Sequence, residues 1–288
     1  MYDIIIIGAG PSGLTSAIYA LRANKKVKVL ESKCYGGQII NASCILNYPG
    51  IKSISGFDYA TVLFEQASAM GMEFEVEEVI KIEKGKVFTK SNTYLTKSII
   101  IATGCTNKKL GFEDKFIGRG VSYCATCDGN FYKNKKVAVV GGGNTALEDA
   151  LYLSDIAEYV YLIHRRDTFK GEERYVDELK KRSNVEFILD SNVTSINGDS
   201  VIDSITINND KKILVDGLFI AIGQTPNSSI FKGLIDMDSY GYILSDGVVT
   251  NIDSIYVAGD VRKKELRQLT TAVSDGALAA SMAISEVD

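Results

Sequence analysis

Residues 2–31 read YDIIIIGAGPSGLTSAIYALRANKKVKVLE. The isoleucine run at 4–7 leaves no polar face, so this strand has no side suited to water. It stops at Gly8. Gly8, Gly10 and Gly13 then satisfy G-x-G-x-x-G directly after a strand and at the opening of a helix, the context that gives the pattern meaning. Gly8 allows the tight turn, Gly10 lets main chain approach a pyrophosphate, and Gly13 lets the helix pack on the strand. Pro11 suits the first helical turn, where a missing N–H costs nothing, and Ser12 follows it. The helix is expected over 11–23, with Leu14, Ala17, Ile18 and Leu21 as its apolar face, and a strand over 27–31 completes a βαβ unit. Glu31 ends that strand 23 residues after Gly8, where a carboxylate accepts hydrogen bonds from a ribose diol.

The same plan recurs. KVAVVGGG (136–143) is strand then loop, NTALEDALYLSDI (144–156) is a helix, and EYVYLIH (158–164) is a strand. The slot equivalent to Glu31 holds His164, followed by Arg165 and Arg166, with Lys170 close behind. A carboxylate there would repel a 2′-phosphate, whereas Arg and Lys bind one through charge-assisted bonds. The first loop therefore suits FAD or NAD and the second NADP(H). His164 is the chain's single histidine, and its register points to a ribose-phosphate contact rather than a catalytic triad. Elsewhere a helix is expected over 57–71 and a strand over 97–102 ending in Thr103-Gly104. Further strands are expected near 185–188, 201–208, 217–221 and 254–260, with a last helix from Gln268. The best joints are the turn-rich loops 111–116 and 223–229.

Bulk properties narrow the class. A chain of 288 residues with 45% hydrophobic and 24% charged content is ordinary for a globular protein of one or two domains. A net charge of −4 offers no basic footprint for nucleic acid or membrane. Met1-Tyr2-Asp3 carries no basic leader and no apolar run is long enough to span a bilayer, so the expected location is the cytoplasm.

Five scattered cysteines do not make a disulfide scaffold, but two of them form CATC at Cys124 and Cys127, followed by Asp128. Zinc needs four ligands, and no second closely spaced pair exists. A redox dithiol fits better: sulfurs at this spacing close a disulfide, and CxxC geometry lowers a thiol pKa. Asp128 is then the candidate proton donor or acceptor, as well as a turn residue in CDGN.

Together these motifs resemble the low-molecular-weight, bacterial-type thioredoxin reductases of the flavin-dependent pyridine nucleotide-disulfide oxidoreductase family. The resemblance runs in order through GAGPSGL (8–14), GGQI (36–39), NYPG (47–50), IATG (101–104), GRGVSYCATCDG (118–129), the second glycine loop, AIGQTPN (221–227) and VAGDVRKKELRQ (257–268). It implies an α/β fold of two Rossmann-like, three-layer ββα domains. The NADPH domain (113–226), which carries CxxC, is inserted in an FAD domain made of 1–112 and 227–288. It places Gln38, Asn47, Val79, Thr103, Gly104, Gly259, Asp260, Arg267 and Gln268 around FAD. Gly143, Asn144, Thr145, Ala146, His164, Arg165, Arg166 and Lys170 fall around NADPH. Cys127 would lie nearest the flavin and Cys124 would attack the partner, thioredoxin or a thioredoxin-like protein. It also implies a homodimer, no metal, and rotation of the inserted domain on its joints. Lys170 stands where the family has Arg, keeping charge but losing the planar fork. The rival routes are electron supply from ferredoxin, a flavin dithiol oxidase of the same fold, and a non-enzymatic redox sensor.

Overall fold

The computed structural model describes residues 1–42 and 44–287. The chain divides into two compact units, residues 1–106 with 225–288, and residues 107–224. The first contains β1 (Tyr2–Ile7), α1 (Pro11–Arg22), β2 (Val27–Glu31), α2 (Gly56–Ala69), β3 (Glu73–Val76), β4 (Val79–Glu83), β5 (Lys86–Thr89) and β6 (Thr93–Ile101). The chain leaves through β7 (Cys105–Asn107). The second unit contains β8 (Val121–Ser122), α3 (Ala125–Asp128), β9 (Lys136–Val140), α4 (Asn144–Ser154), β10 (Tyr159–Ile163) and α5 (Glu173–Lys180). It continues with β11 (Val185–Ile188), β12 (Val193–Asn197), β13 (Ser204–Ile207), β14 (Lys211–Leu214) and β15 (Gly217–Ile220). The return passes through β16 (Gln224–Pro226), which pairs with β7, to β17 (Ile255–Val257) and α6 (Leu269–Val287).

In the first unit the parallel order is β3-β2-β1-β6, with β17 also on β6. β6 is long enough to serve two sheets. Its Thr93–Leu95 end pairs antiparallel with β5, and Ile99–Ile101 pairs parallel with β17. The second unit repeats this as β11-β10-β9-β15-β8, beside the antiparallel meander β12-β13-β14. Both central strands are buried on both faces. Ile4 and Ile6 enter one core cluster, and Ile5 and Ile7 another. Val137 and Val139 likewise separate from Ala138 and Val140. One face of each sheet takes helices and the other the meander, which is why neither strand alternates in polarity.

Strand 97–102 begins earlier than expected, at Thr93. The strand expected near 201–208 is β13, whereas β12, β14, α3 and α5 lie outside the elements expected. Among the described residues no helix is long and apolar enough to cross a membrane.

The first boundary falls at 106/107 rather than within 111–116 or at 112/113, because 108–116 is tied into the second unit. Lys108 N–H donates to Gly223 O. The Leu110, Gly111 and Phe112 N–H groups donate to the Glu113 carboxylate, as does the Tyr123 hydroxyl at 2.8 Å. Glu113 is fully buried. Burial alone would raise its pKa, but the Tyr123 hydroxyl and the main-chain donors outweigh it and hold the carboxyl below its ordinary value. The stability this gives is present above the unfolded glutamate pKa and lost as pH falls through the lower folded value. Glu113→Gln is expected to cost about 1–3 kcal/mol at neutral pH. The deficit should shrink on acidification through the glutamate range, and urea unfolding at two pH values measures both.

Candidate functional site

The first glycine loop lies at the carboxyl end of β1. Gly8 has φ +106°, and a Cβ there would meet Ala102 O at 2.4 Å, because β6 runs beside β1 and Ala102 N–H donates to Ile7 O. A Cβ on Gly13 would meet Gly8 O at 1.9 Å, so helix and loop touch main chain to main chain. Gly10 is different: a Cβ there would meet only Gly37 Cα, at 4.0 Å. Gly10 caps α1 without a side-chain hydrogen bond, and Pro11 occupies the first turn. The loop therefore leaves space and N–H donors for a phosphate. Ser12 is buried and its hydroxyl lies beneath Gly259, where a Cβ would come within 2.5 Å of it. Glu31 Oε2 accepts the Ala9 N–H at 2.9 Å, and Oε1 accepts from Lys33 N and the Ser32 hydroxyl. The expected ribose carboxylate thus also braces the loop, with acceptor capacity left on Oε2.

Around the end of β6 the structure brings several expected residues together. Gln38 Nε2 donates to Cys105 O, and Cys105 Sγ donates to Asp260 O at 2.9 Å. Arg267 Nε reaches Asp260 O at 3.4 Å, and its guanidinium lies over the Tyr242 ring. Asn47 Nδ2 donates to Gln268 Oε1. Thr103 Oγ1 donates to Asn227 O and Asn227 Nδ2 donates to Thr103 O, while Gly104, at φ +63°, has open space on its Cβ side. Val79 enters the hydrophobic core with Leu30 and Ile82. Asp260 Oδ1 is buried and accepts no hydrogen bond; Lys264 Nζ lies 3.4 Å away, an ion-pair distance without hydrogen-bond geometry. Burial raises the Asp260 pKa against the pull of Lys264 and Arg267. A buried acceptor without a hydrogen bond, with open space at Gly104, fits the hydroxyls of a flavin dinucleotide.

Two residues here escaped sequence reading. Asp275, buried on α6, accepts from Gly259 N–H, from both ends of the Arg262 guanidinium and from Lys264. It fixes the 259–264 turn, and no local pattern marks it. Cys105 links Gln38 to Asp260, and burial pushes its thiol up to about 12, which favours the protonated form.

The second loop repeats the first at the end of β9. A Cβ on Gly141 would meet Ala221 O at 2.3 Å, while Gly143 has nothing within 4 Å and caps α4 without a side-chain bond. Asn144 is held by Glu172 through two hydrogen bonds, Thr145 is exposed in the first turn, and Ala146 is buried. Arg165, Arg166 and Lys170 are exposed and make no ion pair among the described residues. Lys170 N–H donates to Gly142 O, folding the basic turn against the loop. His164 lies against the same loop. Its ring lies under Gly142, where a Cβ would come within 2.2 Å of it, and it stacks on Phe169. It is 9% exposed; burial, then Arg166 and Arg165, lower its pKa and favour the neutral ring. Packing beneath the loop is thus the role its contacts show.

Cys124 and Cys127 form a disulfide, with Cα atoms 5.3 Å apart. Cys124 is the N-cap of α3 and Cys127 lies within it, both half-buried. Ser122 Oγ accepts the Cys124 N–H at 3.0 Å and donates to Asp128 Oδ2 at 2.6 Å. Asp128 Oδ1 is buried without a partner, and burial raises the Asp128 pKa against the Ser122 hydroxyl. The side-chain atoms left unpaired and buried among the described residues are Asp128 Oδ1, His164 Nε2 and Asp260 Oδ1. No group of three metal-ligating side chains occurs among those residues.

Comparison with known proteins places this geometry. The pyridine nucleotide-disulphide oxidoreductase family matches residues 2–276. The thioredoxin reductase of Treponema pallidum is 41% identical, over 100% of this chain and 97% of its own. The thioredoxin reductase structure from Streptococcus pyogenes superposes with TM-score 0.95 at 39% identity, covering 99% of this chain and 98% of its own. That from Giardia duodenalis gives 0.93 at 34%, covering 99% and 98%.

Asp260→Ala removes the open acceptor. The purified variant is expected to carry substantially less flavin than wild type, read from the visible flavin band per protein, while its far-ultraviolet circular dichroism is unchanged.

Proposed function

The chain belongs to the pyridine nucleotide-disulphide oxidoreductase family, and on that premise we propose that it is an NADPH-dependent thioredoxin-disulfide reductase carrying FAD. The observation that supports this most is the disulfide at the start of α3. It is held beside an unpaired buried acid, in the same unit as a glycine loop flanked by unpaired cations.

Bound flavin supplies the two-electron relay between nicotinamide and sulfur. The chain's residues do the rest. Main chain at Gly8–Gly13 and the start of α1 hold the flavin's pyrophosphate, Glu31 its ribose, and Asp260 its polyol. Gly143 and the start of α4 hold the second nucleotide, with Arg165, Arg166 and Lys170 on its 2′-phosphate. Reduction breaks the Cys124–Cys127 bond with two electrons and two protons and leaves two thiols. Cys124 thiolate then attacks the disulfide of thioredoxin, or of a protein with the same motif, and forms a mixed disulfide. Cys127 attacks the Cys124 sulfur, restores the internal bond and releases the partner as a dithiol. Asp128, whose pKa burial raises, follows Cys127 in the chain as the candidate proton donor or acceptor for these sulfurs.

Family likeness supports a homodimer in the cytoplasm. It also supports rotation of the inserted unit about its two crossings, so that the second nucleotide and the disulfide meet the flavin in turn.

Cys127→Ser is expected to retain flavin and to be bleached by anaerobic NADPH, yet to fail in steady-state reduction of thioredoxin; full turnover would overturn the dithiol relay. Arg165→Ala with Arg166→Ala is expected to raise KM for NADPH at least tenfold more than KM for NADH, since about 1.4 kcal/mol of phosphate-specific binding is tenfold. Equal changes would remove the 2′-phosphate assignment.

A further inference from the structure

Three elements of the first unit meet at Ser12. A Cβ on Gly259, at φ +78°, would come within 2.5 Å of the Ser12 hydroxyl. A Cβ on Gly276 would meet Ser12 O at 2.3 Å, so α6 lies on α1 main chain to main chain. The Ser16 hydroxyl closes the contact by donating to Ser12 O and to Gly276 O, each at 2.9 Å. α1 opens at the first glycine loop, and Gly259 directly precedes Asp260. The groups assigned to the flavin's pyrophosphate and to its polyol therefore converge on one joint.

Asp275 sits at that joint, one residue before Gly276, and is 5% exposed. Its Oδ2 accepts the Gly259 N–H at 3.1 Å, Arg262 Nε at 2.9 Å and Lys264 Nζ at 3.0 Å. Its Oδ1 accepts Arg262 Nη2 at 3.1 Å. The Lys264 side chain is itself 7% exposed and also donates to Thr271 Oγ1. Burial opposes a charge on Asp275, but the Arg262 and Lys264 partners outweigh it and hold the carboxyl below its ordinary value. One carboxylate thus takes four hydrogen bonds from three residues of a single turn and fixes where that turn lies on α6.

We propose that Asp275 is a positioning residue for flavin binding: it locks the Gly259–Asp260 main chain onto α6 where α6 rests on α1, so that the polyol acceptor and the pyrophosphate donors stand in register before the cofactor arrives. An asparagine cannot replace it. The amide nitrogen is a donor set among donors, and the two cations lose the charge that compensates them. The turn then comes loose from α6, and binding must bear the cost of ordering it. The contact of Gly276 with Ser12 does not involve the carboxyl, so the start of α1 and its phosphate donors stay in place. This inference rests on reading the first unit as the flavin site.

The test uses the full-length, flavin-bound protein. Serial dilution, with released flavin read by its fluorescence, gives the affinity for FAD. Displacement of the flavin by ADP, corrected for the flavin's own affinity, gives the affinity for a ligand with pyrophosphate and ribose but no polyol. Asp275→Asn is expected to release half its flavin at a roughly tenfold higher protein concentration than wild type, the scale of one charge-assisted contact. ADP is expected to bind the variant as it binds wild type. Asp275→Ser, smaller and also uncharged, gives the same comparison should the asparagine variant not fold. Equal weakening of FAD and ADP would overturn the proposal, because Asp275 would then support the whole unit rather than the register of the turn. Flavin retained at wild-type dilution would overturn it as well. A wild-type protein that holds no flavin at any concentration would overturn the flavin reading and this inference together.

Discussion

Each unit depends on one strand that has no polar side. β1 alternates its isoleucines between two apolar clusters, and β9 does the same with its valines and alanines. A strand of this kind must be covered on both faces, here by helices on one and a meander on the other. Once covered, its only outlet to polar partners is its carboxyl end. There the neighbouring strand delivers main chain so close to the turn that Gly8 and Gly141 leave no room for a side chain against Ala102 and Ala221. The binding loops lie where they do because this is where each core runs out.

The polar groups at these edges divide into two kinds. Most are satisfied, often by unexpected partners. Glu31 holds Ala9, Asp275 holds Gly259 and Arg262, and Gln38 reaches Asp260 through Cys105. Among the described residues three buried side-chain atoms lack a hydrogen-bond partner, and they belong to Asp128, His164 and Asp260. A buried polar atom without a partner costs about 1–3 kcal/mol. Proteins keep such atoms mainly where a ligand, a water or a reaction will use them. Asp128 lies beside the disulfide, Asp260 among the residues assigned to flavin, and His164 under the second loop. The shortfall in hydrogen bonding thus follows the proposed chemistry.

The disulfide turn shows how little of its geometry is local. CATCDG is too short to show helical periodicity, and Cys124 at its N-cap makes no side-chain capping bond. Its helix is set by Ser122 below and by the close seat of Gly129 on α4. The pair lies next to a nucleotide loop in sequence because the helix that follows that loop shapes the pair.

What the sequence determined by itself was whatever depends on near neighbours. Glycine spacing, the unbroken apolar strands, the acid or base closing each βαβ unit, and the two cysteines a turn apart all act within a few residues. Both loops, the elements beside them, the disulfide and the charge contrast between Glu31 and Arg165-Arg166 were legible for that reason. Strands β12 and β14 were not, since most of their residues are half-buried or exposed, nor was α5, which buries only Leu179; β13 between them falls in the strand expected near 201–208. Tertiary structure alone decided which distant atoms meet. It brought Asp275 to Gly259 and Cys105 to Asp260, and it folded His164 beneath its loop while Arg165 and Arg166 stayed in solvent. Such pairings leave no periodic trace, because a hydrogen bond between residues far apart in the chain constrains one atom on each side and nothing around it.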